Sequence, residues 1–128
     1  MLFRSEIFYA DAELDKRDEL TATGATLSAL PDARGKVDLN AMLQELGKRG
    51  MNEVLVEAGT KLNGSLLGAG LVDELIIYLA SHILGDNARG MFALAELTAL
   101  ENRVELEIKD VRQIGNDIRI IARPHTKN

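Results

Sequence analysis

The chain has 128 residues, 46% hydrophobic and 27% charged, the mix of one soluble globular domain rather than of a disordered or membrane-spanning chain. Acidic residues outnumber basic ones, 20 to 15, and the net charge of -5 argues against nucleic acid or an anionic membrane as the main partner. Cysteine is absent, which removes disulfides, thiolate metal sites and cysteine nucleophiles and fits a reducing cytoplasm.

The opening, Met1 to Lys16, has no long apolar core behind basic residues and no small-residue cleavage site, so it reads as neither a signal peptide nor an anchor. Ser5 to Tyr9 alternates polar and apolar residues and predicts a strand, with Met1 to Arg4 giving it no lead-in, as if an upstream portion were cut away. Asp11 to Thr23 is charged and predicts a helical turn or loop closed by Gly24. Ala25 to Leu30 predicts a second short strand, ended by Pro31, with Pro31 to Gly35 as a turn.

From Asp38 the period changes. Leu39, Met42, Leu43 and Leu46 line one helical face, with Asp38 as N-cap and Gly47 or Gly50 as the stop. Val54, Leu55 and Val56 form a short apolar run that predicts a buried strand. Thr60 opens a second amphipathic helix, with Leu62, Leu66 and Leu67 on one face and Gly70 at its end; Leu66, Leu67, Leu71 and Leu75 read as core. Asp73 to Ala80 is the most strand-like stretch and would complete a parallel, right-handed strand–helix–strand crossover. Ser81 to Thr98 reads as a loop followed by a short helix. Two alternating runs, Val104 to Ile108 and Ile118 to Ala122, flank Gly115-Asn116-Asp117 and predict an antiparallel C-terminal hairpin. No repeat or linker divides the chain.

Chemistry is best placed at Val54 to Thr60, where an apolar run enters a glycine turn and then a helix whose first N–H groups could face an anion. Gly64 and Gly68, four apart, share a helix face and serve either close ligand approach or tight packing. Glu57 stands where a strand of an open sheet would end, so it either contacts a ligand or accepts a hydrogen bond within its own turn. His82 and His125, the only histidines, have no carboxylate at metal-ligand spacing; His125 reads as a solvated tail residue, whereas His82 could reach a pocket. Ser65 and Ser81 lack a base partner or nucleophile elbow, and Asp73-Glu74 reads as a turn pair rather than an acid/base couple.

The order of motifs from Val37 to Gly85 resembles the reductase domain of the bifunctional riboflavin-biosynthesis deaminase/reductase family. The matching pieces are Val37-Asp38-Leu39 at a helix start, Val56-Glu57-Ala58-Gly59 at the turn, Gly70-Leu71-Val72-Asp73-Glu74-Leu75 at a helix end, and Ala80-Ser81-His82-Ile83-Leu84-Gly85 after a strand. The set is specific, though no single member is. The resemblance implies a dihydrofolate-reductase-like α/β fold, a mostly parallel sheet flanked by helices with an antiparallel C-terminal hairpin. It implies NADPH as cofactor, Glu57 as a substrate contact, and Gly59, Thr60, Lys61, Leu62, Asn63, Gly64 and Ser65 as the cofactor-binding stretch.

The reaction so implied is reduction of 5-amino-6-(5-phosphoribosylamino)uracil at the ribose C1′, which requires no catalytic nucleophile and no metal. Separately, a strand edge left unpaired by an absent upstream half is expected to make this cytoplasmic chain form a homodimer or self-associate further. Ser81 stands where the family usually has proline, a change of loop rigidity. Residues 1–128 are then expected to be the C-terminal portion of a single reductase domain. The family's upstream strand and arginine-rich stretch have no counterpart here, nor has the zinc deaminase domain. The alternative is a non-catalytic α/β binding or dimerisation module derived from this fold.

Overall fold

The computed structural model describes residues 5–96 and 98–125. The chain forms two compact units, Met1–Leu55 and Val56–Asn128. Met1 to Arg4, on which the expectation of a cut-away upstream portion falls, lie outside the described residues.

In the first unit the strand β1 (Glu6–Tyr9) pairs in parallel with β2 (Thr26–Ala29), and the connection between them carries the helix α1 (Leu14–Ala22). Parallel neighbours need such a crossover, because a tight turn cannot reverse the chain twice. Helix α1 buries no residue and keeps its charges in solvent, with Lys16 on Glu19 at 2.8 Å; Gly24 ends it in the left-handed region at φ +87°. Pro31 bridges to Val37 across a turn whose Asp32 carboxylate accepts the Arg34 and Lys36 N–H groups, both at 2.8 Å. Those donors, Lys36 N–H first, hold the Asp32 carboxyl below its usual range.

Helix α2 (Leu39–Lys48) starts at the expected cap, where the Asp38 side chain accepts from Ala41 N–H at 2.9 Å. Its apolar stripe buries Leu46, and the chain leaves the helix through Gly50 at φ +83°. Arg49, just past its end, ties three elements together. The guanidinium pairs with Glu45 at 3.0 Å and with Glu6 on β1, and donates to the Ser28 hydroxyl on β2 at 3.2 Å.

The second unit holds the helix α3 (Thr60–Gly68) and a three-stranded antiparallel sheet, β3 (Leu75–Leu79), β5 (Asp117–Pro124) and β4 (Leu106–Ile114), in that spatial order. The two-residue loop Gly115-Asn116 joins β4 to β5. Gly115 has φ +60° while no described non-glycine residue has positive φ, the signature of a II′ turn, whose twist suits a hairpin. The alternation of the last strands would fail at Val111, three residues after Ile108. A bulge between Ile108 and Asp110 takes up the odd residue, so Ile108 opposes Ala122 and Val111 opposes Ile120 on one apolar face. The other face carries charge. Arg112 lies directly opposite Arg119, and Asp110 bonds both, at 3.1 and 2.9 Å; Arg119 chiefly, then Arg112, holds the Asp110 carboxyl below the usual carboxylate range.

Three sequence expectations change. Val54 to Val56 form no strand and are not buried, Leu55 being 75% exposed; a strand exists only with a neighbour, and these residues have no backbone partner among the described residues. The parallel crossover onto Asp73 to Ala80 is therefore absent, and β3 instead runs antiparallel to β5, from Leu75 opposite Ala122 to Leu79 opposite Ile118. The α/β class stands, with its parallel pair at β1 and β2 and its antiparallel hairpin sheet. The short helix expected at the end of the stretch from Ser81 to Thr98 does not form among its described residues, and a 3-10 turn follows at Leu100–Asn102.

Candidate functional site

The glycine turn and the start of α3 lie within the second unit. Gly59 is the N-cap, with extended backbone at φ -81° and ψ 170°, and no side chain caps the helix. The N–H groups of Thr60, Lys61 and Leu62 have no backbone or side-chain acceptor among the described residues. Free donors at a nine-residue helix's positive end make a place where an anion is stabilised by hydrogen bonds and by the helix dipole together. A Cβ built on Gly59 meets nothing within 4 Å, so the approach to the turn is open.

The candidate residues divide by where they point. Glu57, Gly59, Lys61, Leu62 and Ser65 are exposed, and Thr60 is half-buried. The Glu57 carboxylate has no hydrogen bond or ion pair with another described residue, so it does not cap its own turn. Lys61 likewise carries no ion pair among the described residues, which leaves its charge beside the free N–H groups. Ser65 donates to the Lys61 carbonyl at 2.9 Å, a bond back along its own helix.

Asn63 and Gly64 face the other way. The Asn63 side-chain amide donates to the Ala58 carbonyl at 3.2 Å, behind the turn. Gly64 is buried, and a Cβ there would fall within 2.7 Å of the Ala93 carbonyl carbon and 2.9 Å of its nitrogen. Of the two uses that spacing left open for this glycine, the space is taken by close backbone packing. Ala93 N–H also donates to the Thr60 carbonyl at 2.9 Å. Sequence reasoning missed Ala93, and nothing in its local pattern marks it.

Leu66 and Leu67 on the inner face of α3 are 3% and 8% exposed and seat the helix, while Leu71 and Leu75 are half-buried. His82 lies in an exposed stretch rather than a pocket, and exposed His125 donates its N–H to the Glu105 carbonyl at 2.8 Å. Glu74 pairs with Arg123 at 3.5 Å across the sheet. A pocket of about 280 Å³ opens at the far end of α3, between Leu67, Val72, Val104 and Pro124. Asn102, Arg103 and His125 also line it, and it lies at the opposite end of the helix from the free N–H groups. Among the described residues no cluster of His, Asp and Glu could hold a metal, and no helix is long and apolar enough to cross a membrane.

Residues 4–120 match the RibD C-terminal domain family. The chain is 41% identical over 113 residues to riboflavin biosynthesis protein RibD of Escherichia coli, a match covering 88% of this chain and 30% of that protein. It is 40% identical over 93 residues to 5-amino-6-(5-phosphoribosylamino)uracil reductase of Buchnera aphidicola, covering 73% of this chain and 45% of that protein. Among solved structures, Acinetobacter baumannii RibD superposes with a TM-score of 0.76 at 34% identity, over 85% of this chain and 29% of that one. The chain thus spans less than half the length of each of these relatives. With the motif order, the α/β architecture and the sequence match in agreement, the chain belongs to the RibD C-terminal domain family.

Proposed function

We propose that this chain carries the cofactor-facing turn of an NADPH-dependent reductase of riboflavin biosynthesis, acting on 5-amino-6-(5-phosphoribosylamino)uracil. The observation that carries the reading is the uncapped α3 N-terminus beside Gly59 and Lys61, in a chain 40% identical to a protein named for that reduction. A dinucleotide phosphate fits this donor set. Thr60, Lys61 and Leu62 offer backbone N–H groups, Lys61 adds a cation, and Gly59 leaves room for close approach. Asn63, Gly64 and Ser65, the rest of the stretch expected to bind the cofactor, follow on the same helix, with the Asn63 side chain and Gly64 turned to Ala58 and Ala93. When bound, such a cofactor would supply a hydride to C1′ of the ribose in its ring-opened imine form, with a proton from solvent going to the nitrogen, to give the ribitylamino product.

The protein's own part is orientation. Glu57, two residues before the cap and without another described partner, is the proposed substrate contact, and holding it beside the cofactor turn aligns donor and acceptor. No side-chain nucleophile enters the reaction. The proposed setting is the cytoplasm.

NADPH fluorescence titration tests this reading. Gly59 has ordinary negative φ and open space around it, so Gly59→Leu should fold normally while blocking the turn. Saturable binding that weakens at least about tenfold in that variant supports a cofactor site. Absence of binding by the unaltered chain supports the alternative, a non-catalytic module of this fold.

Self-association belongs to the same proposal. Ile108 and Val111, 61% and 56% exposed, face solvent from the edge strand β4. Apolar side chains along an unpaired edge favour pairing with a second copy. Sedimentation at rising concentration should show a dimer that Ile108→Lys disperses, and a strictly monomeric profile would remove this part.

A further inference from the structure

The turn before α3 is gripped from behind at two carbonyls. One grip is local, from the Asn63 amide to the Ala58 oxygen at 3.2 Å. The other comes from far along the sequence, where Ala93 N–H reaches the Thr60 oxygen at 2.9 Å. Gly64 makes the second grip possible, because Ala93's backbone occupies the space a side chain would fill. Both use acceptors only, so the N–H donors of Thr60, Lys61 and Leu62 stay free on the open side. Gly59, between the two grips, leaves open the space a Cβ would fill, and its own carbonyl accepts the Asn63 N–H at 3.1 Å, the first bond of the helix.

We infer that Asn63, Gly64 and Ala93 are positioning residues that preset the Glu57-to-Leu62 turn, and that the Asn63 carboxamide and Gly64 do not themselves touch the cofactor. The inference rests on reading the turn as the cofactor site. Its chemical basis is that a helix N-terminus binds an anion well only when its donors are already aimed; a loose turn must be ordered at the moment of binding, and that cost weakens affinity. Asn63 holds the residue between Glu57 and Gly59, so one side chain sets the substrate carboxylate and the cofactor cap together.

The test is backbone ¹⁵N relaxation of the full chain without nucleotide, followed by NADPH titration. Asn63→Ala removes the donor. Asn63→Asp also removes it, yet places a negative charge in the first turn of a helix, where the dipole favours it, so helix stability is spared while the clamp is lost. In both variants the order parameters of Gly59 and Thr60 should fall from the rigid range near about 0.85 to below about 0.6. NADPH affinity should fall about tenfold, the scale of one lost hydrogen bond at the upper end of the usual range. Asn63→Gln keeps the amide donor and should recover most of both losses. Gly64→Ala should speed hydrogen exchange at the Ala93 amide.

Unchanged order parameters in Asn63→Ala and Asn63→Asp would overturn the inference. If affinity nonetheless fell, the carboxamide would be a direct ligand. An unaltered chain that binds no NADPH would refute the functional reading instead, a failure visible before any variant is made.

Discussion

Gly64 and Gly68 share one face of α3, and their replacement by alanine should shift stability in opposite directions. At Gly64 the new methyl would press on Ala93 backbone within 2.7 Å of its carbonyl carbon, and backbone cannot rotate away as a side-chain tip can. Overpacking of that kind costs about 1–3 kcal/mol, and loss of the Ala93-to-Thr60 hydrogen bond about 1 more. Helix propensity returns only about 0.5–1 kcal/mol. The net is a destabilisation of about 1–3 kcal/mol, or roughly 4–12 °C in Tm for a chain of this size. At Gly68 the methyl would meet only the Leu94 side chain at 3.9 Å, an ordinary contact. The propensity gain should then dominate and raise Tm by about 2–4 °C. Differential scanning calorimetry of the two variants measures both shifts. A Gly64→Ala variant as stable as Gly68→Ala would refute the claim that segment 91–94 lies against α3.

Asp38→Ala should cost about 1 kcal/mol in urea unfolding through loss of the α2 cap, while Asp38→Ser should recover most of it. Asp110→Asn should lower the urea midpoint at neutral pH by removing the carboxylate between Arg119 and Arg112. Because the folded-state carboxyl titrates below its unfolded value, its stabilisation is full above about pH 4 and is lost as pH falls through the depressed value. The difference between the variant and the unaltered chain should therefore shrink as the pH is lowered through the depressed value, and a constant difference would count against the ion pair. Lys61→Gln should weaken NADPH a few-fold at low salt, and the gap should close as ionic strength rises.

Much of this molecule is legible from local pattern. Asp38 announces α2 by its cap, Gly70 ends α3 in the left-handed region, and Gly115-Asn116 marks the hairpin, since each depends on residues within one turn of chain. Val54 to Val56 is not legible. An apolar run of three reads as a strand, but whether it pairs depends on a neighbour that the run itself does not encode. The length of β4 is hidden for a related reason: the bulge after Ile108 breaks the alternation that would reveal it, and the register is set by β5. At the candidate site, the motif from Val56 to Gly59 identifies the turn, yet it does not separate residues that face outward from those that hold the turn in place. Asn63 and Gly64 are assigned by Ala58 and Ala93, and the second of those contacts joins residues far apart in sequence.

The central claim is that the free N–H groups at the start of α3 bind the cofactor. A ¹H–¹⁵N titration of the chain with NADPH tests it most directly. The account predicts saturable shifts concentrated at the Thr60, Lys61 and Leu62 amides and absent in Gly59→Leu. Shifts that leave those three amides unmoved, or that cluster instead in the pocket between Leu67 and Val104, would contradict it.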